Sequence, residues 1–276
     1  MSGFVRPTRI IALIAAAVLG GASHAAPPER VVSINLCTDQ LALMLAAPEQ
    51  LVSVSRLAQD DTSSVMAAEA RNLPTNGSGA EEVFLLRPDL VLAGTFTSPA
   101  TVQMLRDLGI AVELFAPAAS LADIEARILQ MGRALGREDA ARTMAARFRA
   151  DLAALTDTIA NRPRAALYYV NSYTTGDKTL AGDILRAAGF DNIADEAGLS
   201  FGGTLPLEQL VMLAPDVVIR GRDYPGRSRA EDTLTHPALD HLTVAGVLTD
   251  RDWICGTPHV LNAVRAMRDL RREVQQ

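Results

Sequence analysis

The chain carries no excess of basic residues. Its 276 positions hold 26 Lys and Arg against 32 Asp and Glu, a formal charge of −6, which argues against nucleic acid or an anionic membrane surface as a partner. A phosphate-binding signature is missing too: Thr75-Asn-Gly-Ser-Gly79 precedes a helix but lacks the Lys-Ser/Thr of a phosphate loop. The histidines beyond the N-terminus, His236, His241 and His259, all fall in the second half. With no carboxylate cluster at ligand spacing beside them, a metal ion held directly by protein is not expected. His259, one turn into the last helix, could approach a ligand site. Tryptophan occurs once, at Trp253, and cysteine twice, at Cys37 and Cys255. Two cysteines near opposite ends admit either a disulfide or two buried thiols, because pairing needs Cα atoms within about 7 Å. An exported chain permits the bond.

Long apolar runs are also absent apart from one at the start. Arg6 and Arg9 precede a short apolar stretch at 10–20 and small residues ending in Ser23-His24-Ala25-Ala26. That is the pattern of a secretory signal peptide over 1–25. The run is about half of the ~20 residues a spanning helix requires, and no cysteine stands at the cleavage site to take a lipid. An exported, soluble protein without a membrane anchor is expected.

What the chain does contain is strands alternating with helices, the pattern of parallel sheets covered on both faces. Strands are expected at 30–35, 51–54, 90–93, 110–115, 165–170 and 217–220, with a last one ending at Trp253-Ile254. Thr38-Asp39 reads as the cap of a helix at 40–46, and Ser78 with Glu81 as a capping box opening a helix at 82–86. Between the halves, REDAARTMAARFRADLAALTDTIA at 137–160 keeps Met144, Phe148, Leu152, Leu155 and Ile159 on one helical face without a Gly or Pro. It is expected to be a rod of roughly 35 Å.

On either side of this rod the same phrase is written twice. EEVFLLRPDLVLAG at 81–94 aligns without gaps against EQLVMLAPDVVIRG at 208–221. Glu, Leu, Pro, Asp and Gly coincide and the core positions stay apolar. Two such units in one register indicate two similar lobes: a signal peptide at 1–25, an N-terminal lobe at 27–136, a linking helix at 137–161 and a C-terminal lobe at 162–276. The expected fold class is α/β, two Rossmann-like parallel-sheet lobes joined by one long helix, with a cleft between them.

In these features the chain resembles the helical-backbone, class III periplasmic binding proteins that receive iron chelates and vitamin B12 for ABC importers. The resemblance rests on residues 30–35, the paired Glu…Leu-x-Pro-Asp units, the linking helix, His236-Pro-Ala-Leu239 and the Asp252-Trp253…Pro258 stretch. It implies a monomeric carrier of a ferric siderophore, haem or cobalamin, with no resident cofactor, working with a permease and its ATPase. It also implies that Glu81 and Glu208 dock onto permease arginines. Cleft contacts are expected at strand ends, where open sheets bind ligands: Cys37, Arg56, Phe96, Tyr173, Phe201, Arg222, Tyr224 and Trp253. The vitamin B12-binding member has tryptophans where this chain has Thr75 and Gly94, a departure that weakens cobalamin as the cargo. The competing reading is an exported α/β enzyme with its site in the same cleft.

Overall fold

A computed structural model describes residues 26–221, 229–245 and 251–276. The first lobe runs β1 (Val31–Ser33), α1 (Leu36–Leu45), β2 (Leu51–Ser55), α2 (Ala67–Ala70), β3 (Thr75–Asn76), α3 (Ala80–Leu85), β4 (Leu90–Gly94), α4 (Pro99–Asp107) and β5 (Ala111–Phe115). Its strands form one parallel sheet in the order β3-β2-β1-β4-β5. Two helices follow, α5 (Leu121–Leu135) and α6 (Glu138–Leu155). The second lobe contains β6 (Arg164–Tyr168), β7 (Tyr173–Thr174), α7 (Leu180–Ala188), β8 (Asp191–Asn192), α8 (Ile193–Glu196), β9 (Gly203–Thr204), α9 (Leu207–Leu213), β10 (Val217–Arg220), β11 (Val244–Ala245) and α10 (Val260–Val274). Its main sheet is parallel, ordered β11-β10-β6-β8, beside a small antiparallel β7-β9 pair.

Strand periodicity assigns the core. Because neighbouring side chains point to opposite faces, Val31, Leu90 and Leu92 of the first sheet join Ala165, Leu167, Val217 and Ile219 of the second in one continuous cluster. Helices α1, α5, α6, α7 and α10 fill that cluster. The intervening residues face outward into separate lobe cores: Val32, Val91 and Ala93 against α3 and α4, and Ala166, Tyr168 and Val218 against α8 and α9. The two sheets therefore share a helical layer between them.

The repeated phrase has a structural meaning. In each lobe its Asp secures the chain entering the first strand: Asp89 accepts from the amides of Glu29 and Arg30, and Asp216 from that of Arg164. The arginine at each entry then donates to carbonyls ending the helix of the repeated phrase, Arg30 to Leu86 and Arg87 after α3, Arg164 to Ala214 after α9. Arg87 and Ala214, each just before the Pro, both take positive φ, 49° and 43°. Each such residue turns the chain from helix into strand.

Helix α6 spans 18 residues, about 27 Å, and stops at Leu155 rather than at Ala160. Thr156 adopts an extended conformation, and Asp157 is drawn to the buried Arg271 of α10 at 2.7 Å. The rod lies against α5, and at their crossing a Cβ on Gly132 would meet the Ala141 methyl at 2.2 Å, so glycine is what lets the helices approach. A second tie crosses from lobe to lobe: Asp183 of α7 accepts from the Leu121 amide at the head of α5 at 2.7 Å, satisfying one of the unpaired N–H groups of a helix start.

Other local expectations change. Helix α1 begins at Leu36 and is capped by Asn35, whose side chain accepts from Cys37 and Thr38, while Asp39 lies buried inside it. No capping box forms at Ser78. That residue sits at φ 63° with its hydroxyl given to the Ile34 carbonyl, and a capping box opens α5 instead, through Ser120 and Asp123. The strand expected at Trp253-Ile254 is a 3₁₀ turn, Arg251–Trp253. Among the described residues no helix is long and apolar enough to cross a membrane.

Candidate functional site

Each sheet has a topological switch point, the place where strand order reverses and the loops beyond the carboxyl ends part. In the first lobe it lies between β1 and β4, in the second between β6 and β10. The first is built from Asn35, Cys37 and Thr38 after β1 and Thr95 and Phe96 after β4, and these line a cavity of about 110 Å³. Its far wall comes from after β5, from Arg127 of α5, and from Ile254 and Gly256 before α10. The second switch point is bounded by the tight turn after β6, where Asn171 and Ser172 both have φ 57°, and by Gly221 after β10. Tyr169 covers that glycine, its Cδ1 2.7 Å from where a Cβ would stand. Burial pushes the Tyr169 phenol up to about 12, so it stays neutral and acts as wall.

The structure joins Cys37 to Cys255, with Cα atoms 5.2 Å apart. The bond fastens the head of α1 to the segment leading into α10, across 218 residues of sequence. Packing there is close: a Cβ on Gly256 would lie 2.3 Å from the Ala118 methyl after β5.

The expected contacts fall into groups. Cys37 and Phe96 share the cavity, and Phe96 is 87% exposed at its rim. Arg56 lies in a neighbouring depression with Asn76, Gly77 and Ser78, its guanidinium 3.9 Å from Glu82. Tyr173 and Phe201 are exposed on the second lobe, where Lys178 stands 4.9 Å over the Phe201 ring. Trp253 is half-buried and packs on the shared core. Arg222 and Tyr224 lie outside the described residues. His259 stands at the start of α10, its Nε2 buried without a partner among the described residues. Arg127 was not singled out by sequence reasoning.

Beneath the first edge is a buried polar layer. Asn76 donates to Ser33 O, Ser53 Oγ and Val54 O, and the Asp39 carboxylate accepts from the backbone and hydroxyl of Ser55. Burial pushes Asp39 up to about 6 from an ordinary 3.8, against the lowering effect of those hydrogen bonds. The folded chain thus holds this proton more tightly than the unfolded one. Stability gained from it is complete below about pH 4 and is lost as pH rises through 6. Asp39→Asn is expected to melt higher than the parent at pH 7, and to remove a difference between pH 4 and pH 7 on the order of 3 kcal/mol. Thermal melts of both chains across that range check it. Asp177, also raised to about 6 by burial and by Asp195, shifts both chains alike.

Glu81 and Glu208 each stand exposed in the first turn of a helix, α3 and α9. Both helices run back against the strand that follows them, β4 and β10, so both carboxylates lie toward the carboxyl edge of their sheet, on the side of the switch point. Neither has a hydrogen-bond or ion-pair partner among the described residues. One turn further on, Leu85 and Met212 are 76% and 85% exposed in the same register.

Comparison with known proteins follows this geometry. The profile of a family described as "Periplasmic binding protein" matches residues 31–244. A vitamin B12-binding protein of Vibrio campbellii is 24% identical over 246 residues, 86% of this chain and 87% of that one. An uncharacterised ABC transporter substrate-binding lipoprotein of Bacillus subtilis is 25% identical over 204 residues, 70% of this chain and 63% of that one. A periplasmic heme-binding protein of Roseiflexus sp. RS-1, solved in apo form, superposes with a TM-score of 0.73 at 22% identity, covering 90% of this chain and 99% of that one.

Proposed function

Since the chain belongs to the periplasmic binding protein family, we propose that it captures a metal chelate between its lobes and hands it to the permease of an ABC importer. Capture occurs in the periplasm, by a monomer released from its signal peptide, and no chemical step is performed. The observation that carries this reading is the duplicated switch point. Two parallel sheets each present a ligand-binding edge at a switch point, and each edge bears a glutamate at a helix head with no hydrogen-bond or ion-pair partner among the described residues.

Cargo of this class suits what borders the gap. Phe96, Tyr173 and Phe201 offer exposed aromatic faces to a flat chelate, and Arg56 offers charge to its acidic groups. Glu81 and Glu208 are the docking handles. A carboxylate pairs with an arginine fork through charge-assisted hydrogen bonds, and two handles fix orientation where one fixes only position. Leu85 and Met212 supply apolar contact beside them. Relatives named for vitamin B12 and for heme support a tetrapyrrole chelate over a bare ion. Cells lacking the protein are expected to lose uptake of one labelled chelate among haem, cobalamin and ferric siderophores, and to regain it on complementation. Unchanged uptake of all of them would count against the reading.

A further inference from the structure

We infer that the cavity between the loops after β1 and β4 is a subsite for a carboxylate arm, with Arg127 as the group that reads it. That the arm belongs to a chelate rests on the carrier reading; the anion site itself does not.

The argument begins with an incomplete hydrogen-bond account. Arg127 lines the cavity, and its Nε is buried without an acceptor among the described residues. A buried, unpaired donor is costly, more so when charged. One arm of the guanidinium is tethered: Nη1 donates to Gln130 Oε1 at 2.6 Å. Gln130 is anchored in turn by its own Nε2, donating to Glu113 Oε1 at 2.6 Å and to the Leu114 carbonyl at 3.0 Å. A neutral amide therefore orients Arg127, and Glu113 stays one residue removed from it. Among the described residues the positive charge has no direct counter-charge.

The surroundings favour an anion. Leu41, Phe115, Pro117 and Ile254 make much of the wall apolar, and in such a medium a charge pair is stronger than in water. The head of α1, ten residues long, forms another part of the wall. Its first amides are taken by Asn35, so the helix contributes the field of its positive end rather than donors. At about 110 Å³ the cavity is well below the roughly 300–1,000 Å³ of a complete small-molecule site. It has room for a short arm and none for a ring system. An amide arm would satisfy the Nε–H but bring no charge and would bury two donors of its own. The class of cargo this points to is a chelate bearing aliphatic carboxylates rather than one whose arms are all amidated.

Zinc mesoporphyrin and its dimethyl ester test this, since they differ only in the two arms. The wild-type chain is expected to bind the diacid at least tenfold more tightly than the diester, and that ratio is expected to fall to about one in Arg127→Met, with Arg127→Lys between them. A second arm needs no chelate: 4-phenylbutyrate is expected to shift the Arg127 Nε–Hε resonance of the apo protein, and 4-phenylbutyramide to leave it in place. Equal affinity of wild type for diacid and diester, or an unmoved resonance, would overturn the subsite. If neither porphyrin binds while the resonance responds, the anion site stands and a porphyrin cargo falls; failure of cobalamin and ferric siderophores to bind as well would fell the carrier reading. If chelates bind with a ratio of one and the resonance stays still, the subsite falls and the carrier reading stands. The wild-type comparisons decide the matter even if the variants fail to fold.

Discussion

Replacing Glu81 and Glu208 together by Ala is expected to reduce permease-dependent uptake to the level of cells lacking the protein, while ligand affinity and melting temperature stay unchanged. The size follows from the geometry. Each carboxylate is exposed, unpartnered among the described residues and set in the first turn of its helix, so removing it takes away nothing that holds the fold. In a complex it would face a desolvated arginine, and truncating one partner of such a pair costs about 2 kcal/mol at the lower end. One handle lost is about thirtyfold in affinity for the permease, and two lost independently about a thousandfold. Either single variant should therefore retain measurable uptake where the double variant has none. Normal uptake by the double variant would remove these residues from docking.

The disulfide carries the second large effect. Cys37 and Cys255 close a loop across 218 residues, and in the chain-entropy account a loop of that length restrains the unfolded state by about 5 kcal/mol. For a chain of this size that corresponds to a fall in melting temperature on the order of 10 °C. The Cys37→Ser, Cys255→Ser chain is expected to show that fall without reductant. The parent should show it only with reductant, and reductant should leave the double variant unmoved. The bond also pins the segment with Ile254 and Gly256 against the first switch point, so its loss should weaken chelate binding as well. A parent melt insensitive to reductant would show that the bond contributes no stability.

Much of the architecture was legible because it is written locally and twice. The Pro-Asp phrase announces helix, turn and strand from neighbours alone, and its second copy declares a second lobe. Where a residue's partner lies far off in sequence, local signals misled. Ser78 looks like a helix cap, yet its hydroxyl belongs to Ile34, and Glu82 rather than Glu81 reaches back, to the Gly77 amide at 2.7 Å. The rod was read as running to Ala160 because no breaker interrupts it. It stops at Leu155, where Asp157 is held by Arg271, a residue 114 positions away. Trp253-Ile254 looks like a strand end, but the segment is tied to α1 by a bond no spacing rule fixes.

The site divides the same way. Strand ends could be listed from the sequence, and Cys37 and Phe96 do meet in one cavity. Arg127 gave no local sign, since a lone arginine between Ile124 and Ile128 reads as the solvated side of an amphipathic helix. Only the fold shows that this side of α5 lines the first switch point, and that its Nε has no partner among the described residues.

Titration of the purified protein with haem, cobalamin and ferric siderophores, followed through Trp253 fluorescence and thermal shift, tests the carrier claim most directly. The prediction is saturable, one-to-one binding of one class of chelate, with stabilisation of about 2.7 kcal/mol at a ligand concentration a hundred times Kd. A cooperatively melting protein that none of these chelates quenches or stabilises would contradict it.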